Sequence, residues 1–124
     1  MNVKRMREVY TARLRSPTQR NLCAVEEGRV IGYVSMTLEN DLWVQGCLAT
    51  LDELVVAESS RGRGVGTRLL RAMFSLARES GARRVELTSA YHRREAHALY
   101  TSLGFENRGF VFSKPLATRS QSRP

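Results

Sequence analysis

Three glycines at alternate positions, Gly62, Gly64 and Gly66, form the segment of the sequence best suited to chemistry. Glycine lets the backbone approach a ligand without a Cβ atom in the way and adopts positive φ at little cost. Arg61 and Arg63 alternate with the first two glycines, and the segment leads into a helix whose first N–H groups lack partners. We predict an anion-binding loop, because a simple turn needs only one or two glycines.

Neither of the common nucleotide-binding loops fits this spacing. A P-loop ends in glycine, lysine and serine or threonine, whereas the residue directly before Thr67 is Gly66. A dinucleotide-binding fingerprint that begins at Gly62 needs glycine at position 67, where threonine stands. The sequence therefore disfavours a nucleoside triphosphatase and a dinucleotide-dependent enzyme.

The anion-binding loop is predicted to lie between a strand and a helix. Residues 48–57 are rich in strand-forming types, and strict alternation predicts Leu51, Glu53 and Val55 on one face and Asp52, Leu54 and Val56 on the other. After the loop, apolar residues recur at helical spacing up to Ser80-Gly81, where we expect the helix to end. The inward residues of this helix are predicted to be Leu69, Met73, Leu76 and Ala77.

The other elements predict an α/β or α+β domain with a mixed sheet. Gly104 is placed to cap the last helix in a left-handed conformation, and Gly32 marks a bulge or a close backbone approach. The expected elements are a helix over 4–14, strands over 22–25, 30–38 and 85–88, a helix over 93–103 and a closing strand over 105–113.

The net charge of +8 lies in the second half of the chain. Residues 1–60 carry 7 basic and 8 acidic side chains, whereas residues 61–124 carry 13 basic and 4 acidic ones. Such a field attracts polyanions, which include nucleic acid, a phosphate-bearing cofactor and a membrane surface. Eighteen of the twenty basic residues are arginine, and arginine favours phosphate because its forked guanidinium matches phosphate oxygens.

Two motifs in the expected order resemble the GCN5-related N-acetyltransferase (GNAT) family. The segment RGRGVG at residues 61–66 is similar to the pyrophosphate-binding loop of that family, and residues 96–105 are similar to its A-x-x-x-Y-x-x-x-G-F helix. The resemblance covers about residues 20–113. It implies a GNAT-like mixed, mostly antiparallel central sheet flanked by helices. Typical members begin with a further strand and helix, so it also implies a shortened N-terminal region.

The resemblance implies that acetyl-CoA donates an acetyl group to a primary amine by direct attack in a ternary complex. The backbone of Leu54, Val55 and Val56 is expected to pair with the pantetheine arm. Arg93 stands where the family often has asparagine, and we expect it to contact a cofactor phosphate or the substrate. The residues expected to hold the pyrophosphate are Arg61, Gly62, Arg63, Gly64, Val65, Gly66 and Thr67.

The chemistry of such a site requires a proton acceptor, because an alkyl ammonium group has a pKa of about 10.4 and must lose a proton before it attacks. Glu53 is the first candidate, since burial among apolar residues is expected to raise its pKa. Glu86 is the second, because its position resembles the one that other members of the family use. By the same resemblance Tyr100 acts as a general acid toward the thiolate. A backbone N–H near Val55 is expected to stabilise the oxyanion.

Two other interpretations compete with an acetyltransferase. One is a member of the same family that binds CoA without catalysis. The other is a basic nucleic-acid-binding module, which the aromatic content of 7% and the lack of a recognised motif disfavour. The acceptor stays open between a polyamine, an aminoglycoside, an amino acid, a protein N-terminus and a lysine side chain, because fold does not determine it.

The cellular compartment and the need for a metal are predicted from motifs that the sequence lacks. Cys23 and Cys47 form no CxxC motif, so we expect free thiols in a reducing compartment. No apolar run approaches the roughly 18 residues of a membrane span and no signal peptide is evident, which favours the cytoplasm and no membrane partner. His92 and His97 lack metal-ligand spacing, so no metal is expected.

The domain organisation is predicted to be simple. We expect one GNAT-like domain over residues 1–114, followed by a flexible basic tail over 115–124. The shortened N-terminal region leaves room for a homodimer in which a neighbouring subunit completes the sheet edge.

Overall fold

The computed structural model describes residues 3–87, 94–109 and 112–116, and the chain divides into two compact units, residues 1–88 and 89–124. The predicted helices and strands of the first unit are confirmed, and its strands run longer than expected. The elements of the first unit are α1 (Val3–Arg15), β1 (Gln19–Glu26), β2 (Arg29–Asp41), β3 (Gly46–Val56), a short 3-10 helix (Glu58–Ser60), α2 (Val65–Glu79) and β4 (Ala82–Leu87). The second unit contains α3 (Arg94–Ser102).

The first unit contains a four-stranded sheet in the order β1-β2-β3-β4. The β1–β2 and β2–β3 pairs are antiparallel and the β3–β4 pair is parallel. The β1–β2 hairpin turns at Glu27 and Gly28, which both have positive φ, as a tight two-residue turn requires. The parallel pair is joined through α2, because parallel neighbours need a crossover connection. The prediction of a mixed, mostly antiparallel sheet is confirmed.

The core lies between α2 and one face of this sheet, which we call the α2 face. Gly32 allows the close contact: a Cβ atom there would lie 2.8 Å from Leu69 Cδ1 and 3.1 Å from Val65 Cγ1. The prediction of a close backbone approach at Gly32 is therefore confirmed. The buried apolar residues are Val34, Met36, Leu38, Leu48, Ala49, Leu51, Leu69, Leu70, Met73 and Ala77.

The predicted alternation of β3 is confirmed over residues 53–56 but is wrong at Leu51 and Asp52, because the strand contains a bulge there. Ser35 pairs with Glu53, but Met36 pairs with Leu51, so Asp52 is an extra residue. Leu51 therefore lies on the α2 face with Met36, while Glu53 lies on the opposite face with Ser35. The shift keeps the apolar side chains in the core and places a carboxylate outside it.

The second unit contains the α3 helix and the residues that follow it. Gly104 has φ +93, and its N–H bonds to Thr101 O at 3.1 Å, which confirms the predicted left-handed cap. The closing strand predicted over 105–113 is wrong for the described residues 105–109 and 112–113, none of which is in a strand. Asn107 Oδ1 instead accepts the N–H of Gly109 at 3.2 Å, a local turn that competes with strand pairing.

Candidate functional site

The glycine-rich loop between β3 and α2 has the open backbone that an anion site needs. Gly62 and Gly64 have φ of +78 and +80, and a Cβ atom built on either would meet nothing within 4 Å. Left-handed φ at both positions explains why glycine occurs there. Arg61 begins the loop, and its Nε donates to Val56 O at 3.2 Å, which ties the loop to the end of β3.

The N-terminus of α2 presents unpaired donors beside this loop. Gly64 is the cap residue and supplies no capping side chain, and the first helical bond runs from Arg68 N–H to Gly64 O at 3.1 Å. The N–H groups of Val65, Gly66 and Thr67 precede that bond and have no acceptor among the described residues. The first turn also carries no acidic residue. These donors and the positive end of the helix dipole can bind an anion.

Arg63 is held by the β1–β2 hairpin. Its Nη1 and Nη2 donate to Glu26 Oε1 and Oε2 at 3.1 Å and 2.5 Å. The hydrogen bond from Arg63 lowers the pKa of Glu26, and the same pair raises the pKa of Arg63. Both side chains stay about half exposed, so Arg63 remains accessible to a phosphate.

The end of β3 offers a free backbone edge next to the loop. Pairing with β4 ends at Leu51, so residues 52–56 have no β4 partner. Ala57 N–H donates to Ile31 O at 2.8 Å, so by alternation the N–H of Val55 also faces β2. The N–H and C=O groups of Leu54 and Val56 therefore face the free edge. Of the three residues expected to pair with a pantetheine arm, Leu54 and Val56 present backbone groups to this edge, whereas the N–H of Val55 faces β2.

The face of the sheet opposite α2, on which α1 packs, is polar. We call it the α1 face. Tyr10 of α1 stacks edge-on against Tyr33 of β2, with ring centroids 5.6 Å apart. Arg13 Nη1 and Ser35 Oγ both donate to Glu53 Oε2. We call Arg13, Ser35 and Glu53 the Arg13 cluster.

Further hydrogen bonds continue along this face. Tyr33 OH donates to Asn21 Oδ1 at 2.6 Å, and Thr37 Oγ1 donates to Asp52 Oδ2 at 2.7 Å. Ser35 is completely buried, and buried polar groups of this kind are informative because they are uncommon in a core. The α1 face is therefore suited to a hydrophilic ligand.

The expectation that burial raises the pKa of Glu53 is wrong. Burial does act in that direction, but the hydrogen bond from Arg13 is the larger influence and lowers the pKa, with Ser35 adding to it. A carboxylate with a lowered pKa is a weaker proton acceptor. Glu53 therefore has the properties of a charged binding group.

Glu86, the second candidate base, lies on the same face as Glu53. It pairs with Thr50 of β3, and Thr50 pairs with Thr37, two residues along β2 from Ser35. Glu86 is exposed, and no hydrogen bond or ion pair to another described residue constrains it. The structure thus brings both candidate carboxylates to one face, one of them ion-paired and one accessible.

The remaining predicted site residues belong to the second unit. Tyr100 is half-buried on α3, and its ring contacts Phe105 edge-on at a centroid distance of 5.9 Å. Phe105 N–H also bonds to Tyr100 O at 3.0 Å. Arg93 lies outside the described residues, as does His92.

Sequence reasoning missed Arg13 and Ser35. Arg13 follows Tyr10 by three positions, so the two share a helix face, and this spacing could have indicated that Arg13 faces the sheet. Ser35 interrupts the apolar residues Val34 and Met36. Its pairing with Glu53 depends on the bulge, which no local pattern revealed.

A family model and a similar enzyme indicate the protein family of this chain. A model of the acetyltransferase (GNAT) family matches residues 2–105. An aminoalkylphosphonate N-acetyltransferase of Salmonella typhimurium is 30% identical over 116 residues, which are 94% of this chain and 75% of the relative.

Solved structures share the fold of this chain. A transcriptional regulator from Bacillus halodurans has a TM-score of 0.85 at 22% identity, over 94% of this chain and 77% of that one. An aminoglycoside N-acetyltransferase in complex with CoA has a TM-score of 0.77 at 21% identity, over 93% and 89%.

The chain belongs to the GNAT family, as the two motifs indicated. It is an N-acetyltransferase that uses acetyl-CoA to acetylate an amine. The site fits this cosubstrate, because open glycine positions and unpaired N–H groups suit a pyrophosphate and the free edge of β3 suits an amide-containing arm.

Among the described residues, no cluster of three or more His, Cys, Asp or Glu side chains could hold a metal ion. No helix in the same part of the chain combines the length and apolar character that crossing a bilayer requires.

Proposed function

We propose that this protein acetylates the primary amine of a small anionic acceptor, of the aminoalkylphosphonate class, by direct attack in a ternary complex with acetyl-CoA. The proposal rests on one observation: the cofactor half and the acceptor half of the site meet on β3. The free backbone edge of residues 52–56 adjoins the anion-binding loop, and the polar α1 face begins at Glu53 on the same strand.

The acceptor class is supported by two independent features. The relative that is 30% identical over 94% of this chain is an aminoalkylphosphonate N-acetyltransferase. The α1 face presents both a guanidinium, on Arg13, and carboxylates, on Glu53 and Glu86. An aminoalkylphosphonate carries the complementary charges, an ammonium and a phosphonate.

Glu86 is the better supported proton acceptor. It is exposed and not ion-paired to any described residue, whereas the pKa of Glu53 is lowered by Arg13. Glu86 would take the proton that the ammonium group must lose, and the neutral nitrogen would form its bond to the acetyl carbon as the carbon–sulfur bond breaks. Tyr100 would donate a proton to the departing sulfur, the role that the family resemblance assigns to it.

The residues of the cofactor half would bind and orient. Acetyl-CoA supplies an activated thioester when it is bound. The N–H groups of Val65 to Thr67, with Arg61, Arg63 and the loop glycines, would hold its pyrophosphate. The outward N–H of Leu54 or Val56 would stabilise the negative charge that develops on the acetyl oxygen. Arg93 would contact a phosphate or the acceptor.

The test compares acceptors in reactions with the full chain and acetyl-CoA. Turnover is measured by release of the CoA thiol, and the product is identified by mass spectrometry. The acceptors are 2-aminoethylphosphonate, spermidine, kanamycin and a lysine-containing peptide. We expect kcat/KM for 2-aminoethylphosphonate to exceed each of the others by at least about 10-fold, since charged hydrogen bonds discriminate by roughly that factor. A higher value for spermidine, kanamycin or the peptide contradicts the proposed acceptor class.

We also propose that the protein acts in the cytoplasm as a homodimer that associates through β1. Among the described residues no strand pairs with the outer edge of β1, and Val25 and Val30 at its hairpin end are more than 60% exposed. Cys23 and Cys47 are free, as a reducing compartment requires. Light scattering of the purified chain tests the dimer, and a monomeric mass at micromolar concentration would exclude it.

A further inference from the structure

We infer that Arg13 binds the anionic group of the acceptor and that Glu53 binds its ammonium group, which makes their ion pair the specificity site for amines that carry a negative charge. This inference rests on the proposed function, because it concerns the acceptor half of the same site. It names a residue, Arg13, that the cofactor-binding motifs do not include.

The ion pair leaves hydrogen-bonding capacity on both partners. Arg13 uses only Nη1 to contact Glu53, and its Nε and Nη2 have no partner among the described residues. Glu53 receives both of its hydrogen bonds on Oε2, so Oε1 has none from that part of the chain. The side chains are 29% and 38% exposed. A ligand with one positive and one negative group can therefore bind both residues without breaking the pair.

The orientation of α1 supports a binding role for Arg13. A helix that packs on a sheet normally turns its apolar side inward and its charged side outward. Here Arg13 faces the sheet, while Val9 and Leu14 are 55% and 54% exposed. Such a departure from the usual pattern is expected at functional sites, where binding is favoured over packing.

The neighbours of Arg13 hold this arrangement in place. Tyr10, one turn earlier on α1, stacks against Tyr33, and Ser35, which is fully buried, fixes the Glu53 carboxylate by its hydrogen bond. A guanidinium and a carboxylate that are fixed before the ligand arrives lose less conformational entropy on binding.

The position of Glu53 connects the ion pair to the reaction. Glu53 directly precedes Leu54, whose backbone faces the free edge of β3. Successive residues of a strand are about 3.4 Å apart, so an ammonium group held by Glu53 lies close to the edge where the acetyl group is expected.

The chemistry of the pair selects acceptors by charge. The free Nε and Nη2 of Arg13 form a fork that matches two oxygens of a phosphonate or carboxylate. A polyamine brings only positive charge, which Arg13 repels. The selected ligand is therefore an amine with an anionic group a few bonds away, with phosphonate, carboxylate and sulfonate as the alternatives of one chemistry.

The experiment measures acceptor binding separately from turnover. Calorimetry with the CoA-saturated full chain compares 2-aminoethylphosphonate, β-alanine, taurine and the uncharged-tail analogue n-propylamine. The variants are Arg13→Gln, Arg13→Lys and the control Arg15→Gln, which makes the same charge change on an exposed position of α1. Melting temperatures establish that each variant is folded. If Arg13→Gln is unfolded, Arg13→Lys provides the comparison with wild type.

We expect Arg13→Gln to weaken binding of the best anionic amine roughly 10- to 100-fold and Arg13→Lys less, with n-propylamine and Arg15→Gln unaffected. Equal losses for n-propylamine and the anionic amines, or no loss in either Arg13 variant, would overturn the inference. Because binding is the readout, a chain that binds these amines without acetylating them contradicts the proposed function alone. A chain that acetylates the anionic amines, but binds them as tightly after Arg13→Gln and Arg13→Lys as before, contradicts the Arg13 inference alone.

Discussion

The anion-binding loop and the Arg13 cluster are built in opposite ways. The loop uses consecutive residues, 61–67, and presents backbone N–H groups that any sequence with the right glycines can form. The Arg13 cluster uses three side chains from α1, β2 and β3, and Arg13 and Glu53 are 40 positions apart in the chain. The cofactor half thus depends on local conformation and the acceptor half on tertiary contact.

This difference predicts how each half tolerates change. In the loop, the side chains other than Arg61 and Arg63 can vary as long as positive φ stays accessible at residues 62 and 64. In the Arg13 cluster a single substitution removes a functional group and alters the ligand that fits. Within one family a constant cosubstrate and variable acceptors are the expected result.

The largest effect is expected from Tyr100→Phe, which removes the proposed general acid without changing either half-site. We expect kcat to fall about 10³-fold, with the acetyl-CoA dissociation constant unchanged by calorimetry. The control is Tyr10→Phe, whose ring contacts Tyr33 through its aromatic surface. Full activity in Tyr100→Phe would remove Tyr100 from the mechanism.

Glu86→Gln separates the two candidate bases of the acceptor half. We expect kcat to fall about 100-fold, because the exposed carboxylate is the proposed proton acceptor. Steady-state kinetics provide the measurement, with Glu79→Gln at the exposed end of α2 as the control. A larger loss of kcat in Glu53→Gln than in Glu86→Gln would exchange the roles of the two carboxylates.

Gly64→Ala affects the cofactor half alone. A left-handed non-glycine residue costs about 1–2 kcal/mol, and φ at Gly64 is +80. We expect the acetyl-CoA dissociation constant to rise roughly 10-fold by calorimetry. Gly81→Ala is a matched control, since Gly81 has φ +87 and open space around it at the other end of α2. The two variants should lose similar stability, and equal losses of acetyl-CoA affinity would contradict a local role for the loop.

The smallest effect concerns the stability contributed by the Arg13 cluster. Arg13 lowers the pKa of Glu53, so the pair stabilises the fold above the unfolded-state pKa of about 4.3 and loses this contribution as pH falls further. Because solvent screens both half-exposed side chains, we expect at most about 1 kcal/mol.

The corresponding measurement is the melting temperature of Arg13→Gln and wild type at pH 7 and pH 3. A difference of about 2–5 °C at pH 7 should shrink toward zero at pH 3. In Arg15→Gln no pH-dependent difference is expected, and a constant difference across pH in Arg13→Gln would show that the ion pair is not its source.

The sequence predicted the open glycine-rich loop before α2 because the determinants of its conformation are local. Glycine spacing, the helix start and the strand before it are all read within about twenty residues. The arrangement of the Arg13 cluster was not predicted, because the bulge at Asp52 arises from pairing with β2 and places Leu51 and Asp52 on faces opposite to those expected. Arg13 could not be paired with Glu53 without the fold. The predicted closing strand is absent from the described residues 105–109 and 112–113, where Asn107 Oδ1 accepts the N–H of Gly109 in a local turn.

Thermal unfolding with acetyl-CoA tests the central claim, that the loop and the β3 edge form a specific CoA site, most directly. ATP and a short DNA duplex serve as polyanion controls, because the chain carries a net charge of +8. Ligand at roughly 100 times its dissociation constant adds about 2.7 kcal/mol to the free energy of unfolding, which raises the melting temperature of a domain of this size by about 10 °C. We predict that rise for acetyl-CoA alone. An equal rise with DNA, or none with acetyl-CoA, would contradict it.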